Sequence, residues 1–144
     1  MLNRKSNWHG ALDTFFVERR AVKFSYGAQD CCLFACDAVA AMTGIDIAYR
    51  FRGTYTTRKG AMLAGKKIAG SASVKAICLF ITNEFQMCEV HPRLLQRGDV
   101  AMIQRTVRDC SLGVVSLNGR SIVVPLADGT GEVSIEMAVR GWRA

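Results

Sequence analysis

The chain has 144 residues, of which 50% are hydrophobic and only 2 are proline, so its length and composition fit a folded domain and exclude extended disorder. Lys and Arg number 19 against 12 Asp and Glu, and the net charge of +7 favours an acidic partner. The basic residues are scattered and have no interleaved aromatic residues, so nucleic-acid binding is disfavoured.

A first amphipathic helix is predicted over residues 8–20, with Asn7 as its N-cap, and it should cover the rest of the domain as a lid. Asp30 offers a capping carboxylate to a second helix, which runs to Thr43 and ends before Gly44. The second helix is apolar on nearly every side, which predicts that it is buried at the centre of the domain.

The pattern changes after Gly98-Asp99, from helical periods to short apolar runs typical of β-strands. Before this point Pro92 breaks any regular element, and after it Asn118-Gly119 is a strong signal for a two-residue hairpin. The remaining predicted elements are helices over residues 56–68 and 74–85, strands over 100–103, 112–117 and 121–125, and a further strand over 132–135.

Helices followed by a small antiparallel sheet predict a single α+β domain over residues 1–144. Its helical part covers about residues 1–97 and its β part about residues 98–125. In the C-terminal segment, residues 126–144, Trp142 is expected to be a buried anchor.

Neither a signal peptide nor a membrane span is predicted. The residues after Met-Leu-Asn-Arg-Lys are polar, and the weakly charged run 31–45 is shorter than the roughly 20 apolar residues that a bilayer core needs.

Six cysteines without a signal peptide predict free thiols in a reducing cytosol. Cys31, Cys32 and Cys36 lack the paired spacing of zinc ligands, so buried thiols are favoured and no metal or cofactor is predicted. A metal or iron–sulfur site that adds one distant cysteine to these three remains an alternative.

Cys31 lies in the first turn of the central helix, where the positive end of the helix dipole lowers the pKa of a thiol and favours the nucleophilic thiolate. Four sequence stretches, one of which contains this cysteine, occur in an order and at a spacing that suggest a protein family. They are Phe24-Ser25-Tyr26-Gly27, Asp30-Cys31-Cys32-Leu33-Phe34, Arg97-Gly98-Asp99-Val100, and Leu112-Gly113-Val114-Val115 leading into Asn118-Gly119.

These stretches resemble the NlpC-type cysteine peptidases, which are peptidoglycan endopeptidases with a reduced papain-like fold that also occur in phage tail proteins. The resemblance implies a central buried helix packed on a small antiparallel sheet, with Asp30 and Cys31 in the family's aspartate and nucleophile positions. It also implies a catalytic histidine where this chain has Ser111, an orienting polar residue at Val123, and an oxyanion-stabilising tyrosine at Phe24.

Of the four functional positions Cys31, Ser111, Val123 and Phe24, three are therefore changed, and Cys31 alone keeps its residue type, as a residual nucleophile. Loss of the base removes general acid–base catalysis, which contributes about 10²–10⁴ in rate, so we expect no hydrolase activity. His91 and His9 are the available substitutes, but a surface or structural role is favoured for each.

A fold kept without its reaction predicts a role in binding or assembly. The expected function is a structural or assembly component of a phage tail tip or baseplate. We expect it to be made in the bacterial cytoplasm and incorporated in the virion, with other tail proteins and peptidoglycan as partners. Two alternatives remain: an active peptidoglycan endopeptidase using Cys31 with His91 or another base, and a metal or iron–sulfur protein.

Overall fold

Residues 2–144, which the computed structural model describes, form an α+β fold of four α-helices and a six-stranded antiparallel sheet. The strand order across the sheet is β1-β6-β2-β3-β4-β5. The elements are α1 (Trp8–Arg19), α2 (Cys31–Thr43), α3 (Arg58–Ala69), α4 (Val74–Glu84), β1 (Cys88–Val90), β2 (Val100–Thr106), β3 (Asp109–Val115), β4 (Ser121–Leu126), β5 (Gly129–Ser134) and β6 (Ala138–Arg143).

The central helix α2 begins and ends where its sequence predicts. The Asp30 side chain accepts a hydrogen bond from the Leu33 N–H at 2.9 Å, which satisfies one of the unpaired amides of the first turn. Gly44 adopts a left-handed conformation with φ of 81° and donates its N–H to the Ala40 carbonyl at 2.7 Å.

The predicted side-chain cap of α1 is wrong. Asn7 has φ of −98° and ψ of 23°, which is outside the extended region of a capping residue, and its side chain makes no capping hydrogen bond. The Lys5 carbonyl accepts from the Trp8 N–H at 3.1 Å instead. The helix itself lies over α2 as expected, with the Phe15 and Phe34 rings 5.2 Å apart.

The sheet is larger than its sequence pattern indicates. Strands β2 and β3 extend into a hairpin whose turn is Val107-Arg108, and β6 lies between β1 and β2, so the C-terminal segment belongs to this sheet. The predicted two-residue turn between β3 and β4 is wrong. Ser116 N–H donates to the Ser121 carbonyl at 2.8 Å, and residues 117–120 form the loop between them.

Two apolar clusters lie on the two faces of the sheet. The larger cluster places α2 against the sheet, and buries Trp142 to 2% exposure, as predicted. Each fully buried large side chain stabilises the folded state by about 1.5–3 kcal/mol relative to an exposed one. The larger cluster therefore provides most of the hydrophobic driving force for folding. The second cluster covers the opposite face and consists of Val90, Leu95, Ala101, Ile103, Val115, Ile122, Val124 and Ala138.

Asp99 is a fully buried carboxylate at the start of β2 that joins the two ends of the chain. One oxygen accepts from Arg4 Nη2 at 3.1 Å and from Arg143 Nε at 2.9 Å. The other accepts from Arg143 Nη2 at 2.7 Å and from the Gln96 N–H at 2.8 Å. The carboxylate therefore accepts four hydrogen bonds, two on each oxygen, and is satisfied within the fold.

None of the helices in residues 2–144 combines the length and the apolar character required to cross a membrane.

We expect Asp99→Ala to lower the free energy of unfolding by about 2–4 kcal/mol, because Arg4 and Arg143 lose the carboxylate that compensates their partial burial. Urea denaturation measures this difference. The matched control is Glu89→Ala, which removes a half-exposed carboxylate from Arg140 and should cost less than about 1 kcal/mol. Equal losses in the two variants would contradict the role given to Asp99.

Candidate functional site

Cys31 is the first residue of α2 and lies against β3, in a position that is partly accessible to solvent. Interaction with the Cys32 thiol lowers the pKa of the Cys31 thiol below its ordinary value, although burial opposes this shift. The backbone at Leu112 and the Ser111 side chain lower the pKa further, while the Asp30 carboxylate raises it. The net effect favours the thiolate at Cys31.

The pKa values of three other cysteines are shifted in the opposite direction, upward. Interaction with Cys31, followed by burial, raises the pKa of Cys32 well above its ordinary value, and burial does the same for Cys36. Burial raises the pKa of Cys78 to about 12. Cys32, Cys36 and Cys78 therefore remain thiols at neutral pH, and Cys36 and Cys78 act as small apolar residues of the core.

Asp30 has a structural role beside the thiol. Its carboxylate is 4% exposed, and beyond the bond from Leu33 it accepts from the Gly27 N–H at 2.9 Å and from the Tyr55 hydroxyl at 2.7 Å. Burial and the Asp30 hydrogen bond raise the pKa of Tyr55, so its hydroxyl stays a donor. With three donors on its oxygens, Asp30 fixes the start of α2 and the two loops around it.

Tyr55 is not among the site residues that the sequence predicts. It lies between α2 and α3, in a stretch with glycines and no helical or strand period, so no local pattern marks it. A side chain at Gly27 would collide with the Tyr55 carbonyl, and Gly27 has φ of 88°. The glycine before Asp30 is therefore the one sequence signal that another chain segment passes close by.

Ser111 lies beside Cys31 on β3, where the resemblance places the catalytic histidine. Its side chain is buried, and a neutral serine hydroxyl is too weak a base to accept the thiol proton. Val123 pairs with Val114 across β3 and β4 and belongs to the main apolar cluster. Neither position can supply or orient a general base.

The two histidines lie away from the thiol. His91 is exposed and uses Nδ1 to accept from the Arg93 N–H at 3.2 Å, which caps the short 3₁₀ turn that follows. The exposed His9 ring stacks on Trp8 with 3.6 Å between ring centroids. Neither histidine lines the cleft that contains Cys31, so neither replaces the missing base.

A cleft of about 1090 Å³ opens above the thiol, and we call it the Cys31 cleft. First-turn residues of three helices line it, namely Cys31 of α2, Arg58 of α3 and Val74 of α4. The sheet side is formed by the end of β4 and by the hairpin between β2 and β3. The N-terminal ends of three helices give this space a positive potential before any side chain is counted.

Phe24 forms part of the wall of the Cys31 cleft. Its backbone N–H donates to the Leu126 carbonyl at 3.2 Å, and its ring meets Tyr26 edge-on with 5.0 Å between centroids. A phenyl ring provides no hydroxyl for an oxyanion, so this position contributes apolar surface.

Charged side chains in the Cys31 cleft are mostly basic. Arg140 is ion-paired with Glu89, and Asp30 is buried and saturated, which leaves Asp109 as the one further acidic side chain of the lining. The remaining charged lining residues are Arg58, Lys75, Arg105 and Arg108. The cleft is therefore suited to anionic groups.

The cysteines do not assemble into a metal centre. Over residues 2–144, no group of three or more His, Cys, Asp or Glu side chains is arranged to hold a metal ion. Cys31 points toward Ser111 and β3, whereas Cys36 lies near Cys78 in the core, so the three cysteines of α2 do not share one centre.

We expect site-resolved alkylation by iodoacetamide to label Cys31 with a pH midpoint below that of free cysteine, because its pKa is lowered and the thiolate forms earlier on raising the pH. Cys36 and Cys78, whose pKa values are raised, should stay unmodified through neutral pH. Mass spectrometry of the tryptic peptides measures both. A Cys31 midpoint above that of free cysteine would show that burial dominates over its neighbours.

A model of the protein family described as a domain of unknown function (DUF6950) matches residues 3–144. Comparison with curated proteins gives no match.

Proposed function

We propose that this chain, which belongs to the DUF6950 family, is a structural or assembly component of a phage tail tip or baseplate with a degenerate NlpC-like fold. The observation that carries the proposal is the neighbour of the Cys31 thiol: Ser111, with no histidine in the cleft. A cysteine thus occupies the nucleophile position, but no general base lies beside it to activate the thiol.

A thiolate alone is insufficient for peptide-bond hydrolysis. Amide hydrolysis requires a proton for the leaving amine, and a positioned acid–base group contributes about 10²–10⁴ in rate. Ser111 cannot deliver that proton at neutral pH, and Asp30 is occupied by three hydrogen bonds. A lowered pKa at Cys31 therefore gives a reactive thiol without a route to turnover.

Positions shared with NlpC-type peptidases have folding roles in this chain. A side chain at Gly113 would approach the Val123 carbonyl and Ile122 to 2.6 Å, and Gly98 has φ of 81° with Met42 2.8 Å from an added Cβ. Asp99 holds the chain ends together. The shared residues Gly98, Asp99 and Gly113 are thus explained by their roles in folding. This fits the proposal of a fold that is kept for assembly without catalysis.

An active cysteine endopeptidase is the second candidate, favoured by the lowered pKa of Cys31 and by the cleft above it. It would require a base that the described residues do not place at the thiol.

We expect the purified protein to release no soluble fragments from peptidoglycan, because no base serves Cys31. The comparison uses the wild-type protein and the Cys31→Ser variant, with Cys88→Ser as the control at an exposed cysteine. Release by the wild-type protein and by Cys88→Ser, but not by Cys31→Ser, would establish the endopeptidase and overturn the assembly role as the primary one.

We also expect the chain to be present in purified particles of the phage or prophage that encodes it. Quantitative mass spectrometry of particles separated on a density gradient checks this, with a non-structural protein of the same lysate as the negative control. Particles that are complete and infectious without the chain would rule out a structural component.

A further inference from the structure

We infer that the Cys31 cleft binds an extended acidic peptide segment, contributed by a neighbouring tail subunit. The inference rests on the proposed function and names the chemistry of the partner. It is carried by unpaired cations in the cleft and by exposed apolar side chains at its rim.

The cations come from both the helical and the sheet side of the cleft. Arg58 and Lys75 lie in the first turns of α3 and α4, and Arg105 and Arg108 lie on the β2–β3 hairpin. All four are exposed, and none forms an ion pair with another residue of the described chain, 2–144. Like charges gathered around one space repel each other, and an anionic occupant would relieve this repulsion.

Apolar side chains at the rim distinguish this cleft from a plain phosphate site. Met62, Leu126 and Val139 are between 43% and 45% exposed, and Val107 at the hairpin tip is 93% exposed. A two-residue turn usually carries Gly or Asn, so Val107-Arg108 is not explained by turn geometry. Apolar and cationic side chains around one cleft suit a segment that presents both apolar and acidic side chains.

The side chains of the cleft favour a peptide over a nucleic acid. Stacked bases would require a row of exposed aromatic rings between the cations. None of the aromatic residues that line the cleft is exposed, namely Phe24, Tyr26, Phe51 and Tyr55.

The test is fluorescence polarisation with the purified full chain and a labelled peptide of alternating Glu and Leu. We expect saturable binding that weakens at high salt, and a Kd at least about tenfold higher for a peptide of alternating Gln and Leu. The double variant Arg58→Glu/Arg108→Glu should raise the Kd for the acidic peptide at least about tenfold. The control Lys66→Glu/Arg120→Glu changes the net charge equally outside the cleft and should raise it less than about twofold.

Three outcomes would overturn the inference. They are absence of saturable binding, equal loss in the cleft variant and in the control, and tighter binding of a thymidine oligonucleotide with the same dependence on Arg58 and Arg108. Circular dichroism checks the fold of each variant, and Arg58→Gln/Arg108→Gln replaces the double variant if charge reversal prevents folding. Failure of peptide binding with the chain present in particles would reject this inference alone, whereas absence from particles would reject the tail role.

Discussion

The buried carboxylate of Asp99 is the point on which the geometry of the rest depends. It binds Arg4 before the first helix and Arg143 in the last strand, so both ends of the chain close on the start of β2. Strand β6 is thereby held between β1 and β2, and β2 in turn pairs with β3. Ser111 and the Leu112 backbone, which interact with the Cys31 thiol, lie on β3, so the Asp99 ion pairs and the site are joined through the same sheet.

Several residues around the site have roles that folding alone explains. Glycine at 113, the turn before Asp99 and the cap at Asp30 are each required by a close approach or by a buried hydrogen bond. Ser111 and Val123 are both buried, and Val123 belongs to the main apolar cluster. These two positions therefore contribute to packing and supply no acid–base group.

The adjacent Cys31 and Cys32 have pKa values that shift in opposite directions, because the two thiols interact with each other. Cys31 also lies near the backbone at Leu112, and its pKa is lowered. Cys32 is adjacent in sequence, but its interaction with Cys31 and its burial raise its pKa. The Cys31 thiol therefore lies in a mostly basic cleft whose described lining contains no histidine.

The sequence by itself determined the α+β class, the bounds of α2 with its caps and the buried Trp142, because local patterns and turn residues specify these features. Tertiary structure alone decided the insertion of β6 between β1 and β2 and the bond from Tyr55 to Asp30. It also decided the gathering of four cations in one cleft. These features join residues far apart in the chain, and the free energy that selects them comes from burial and long-range hydrogen bonds, which no local pattern encodes.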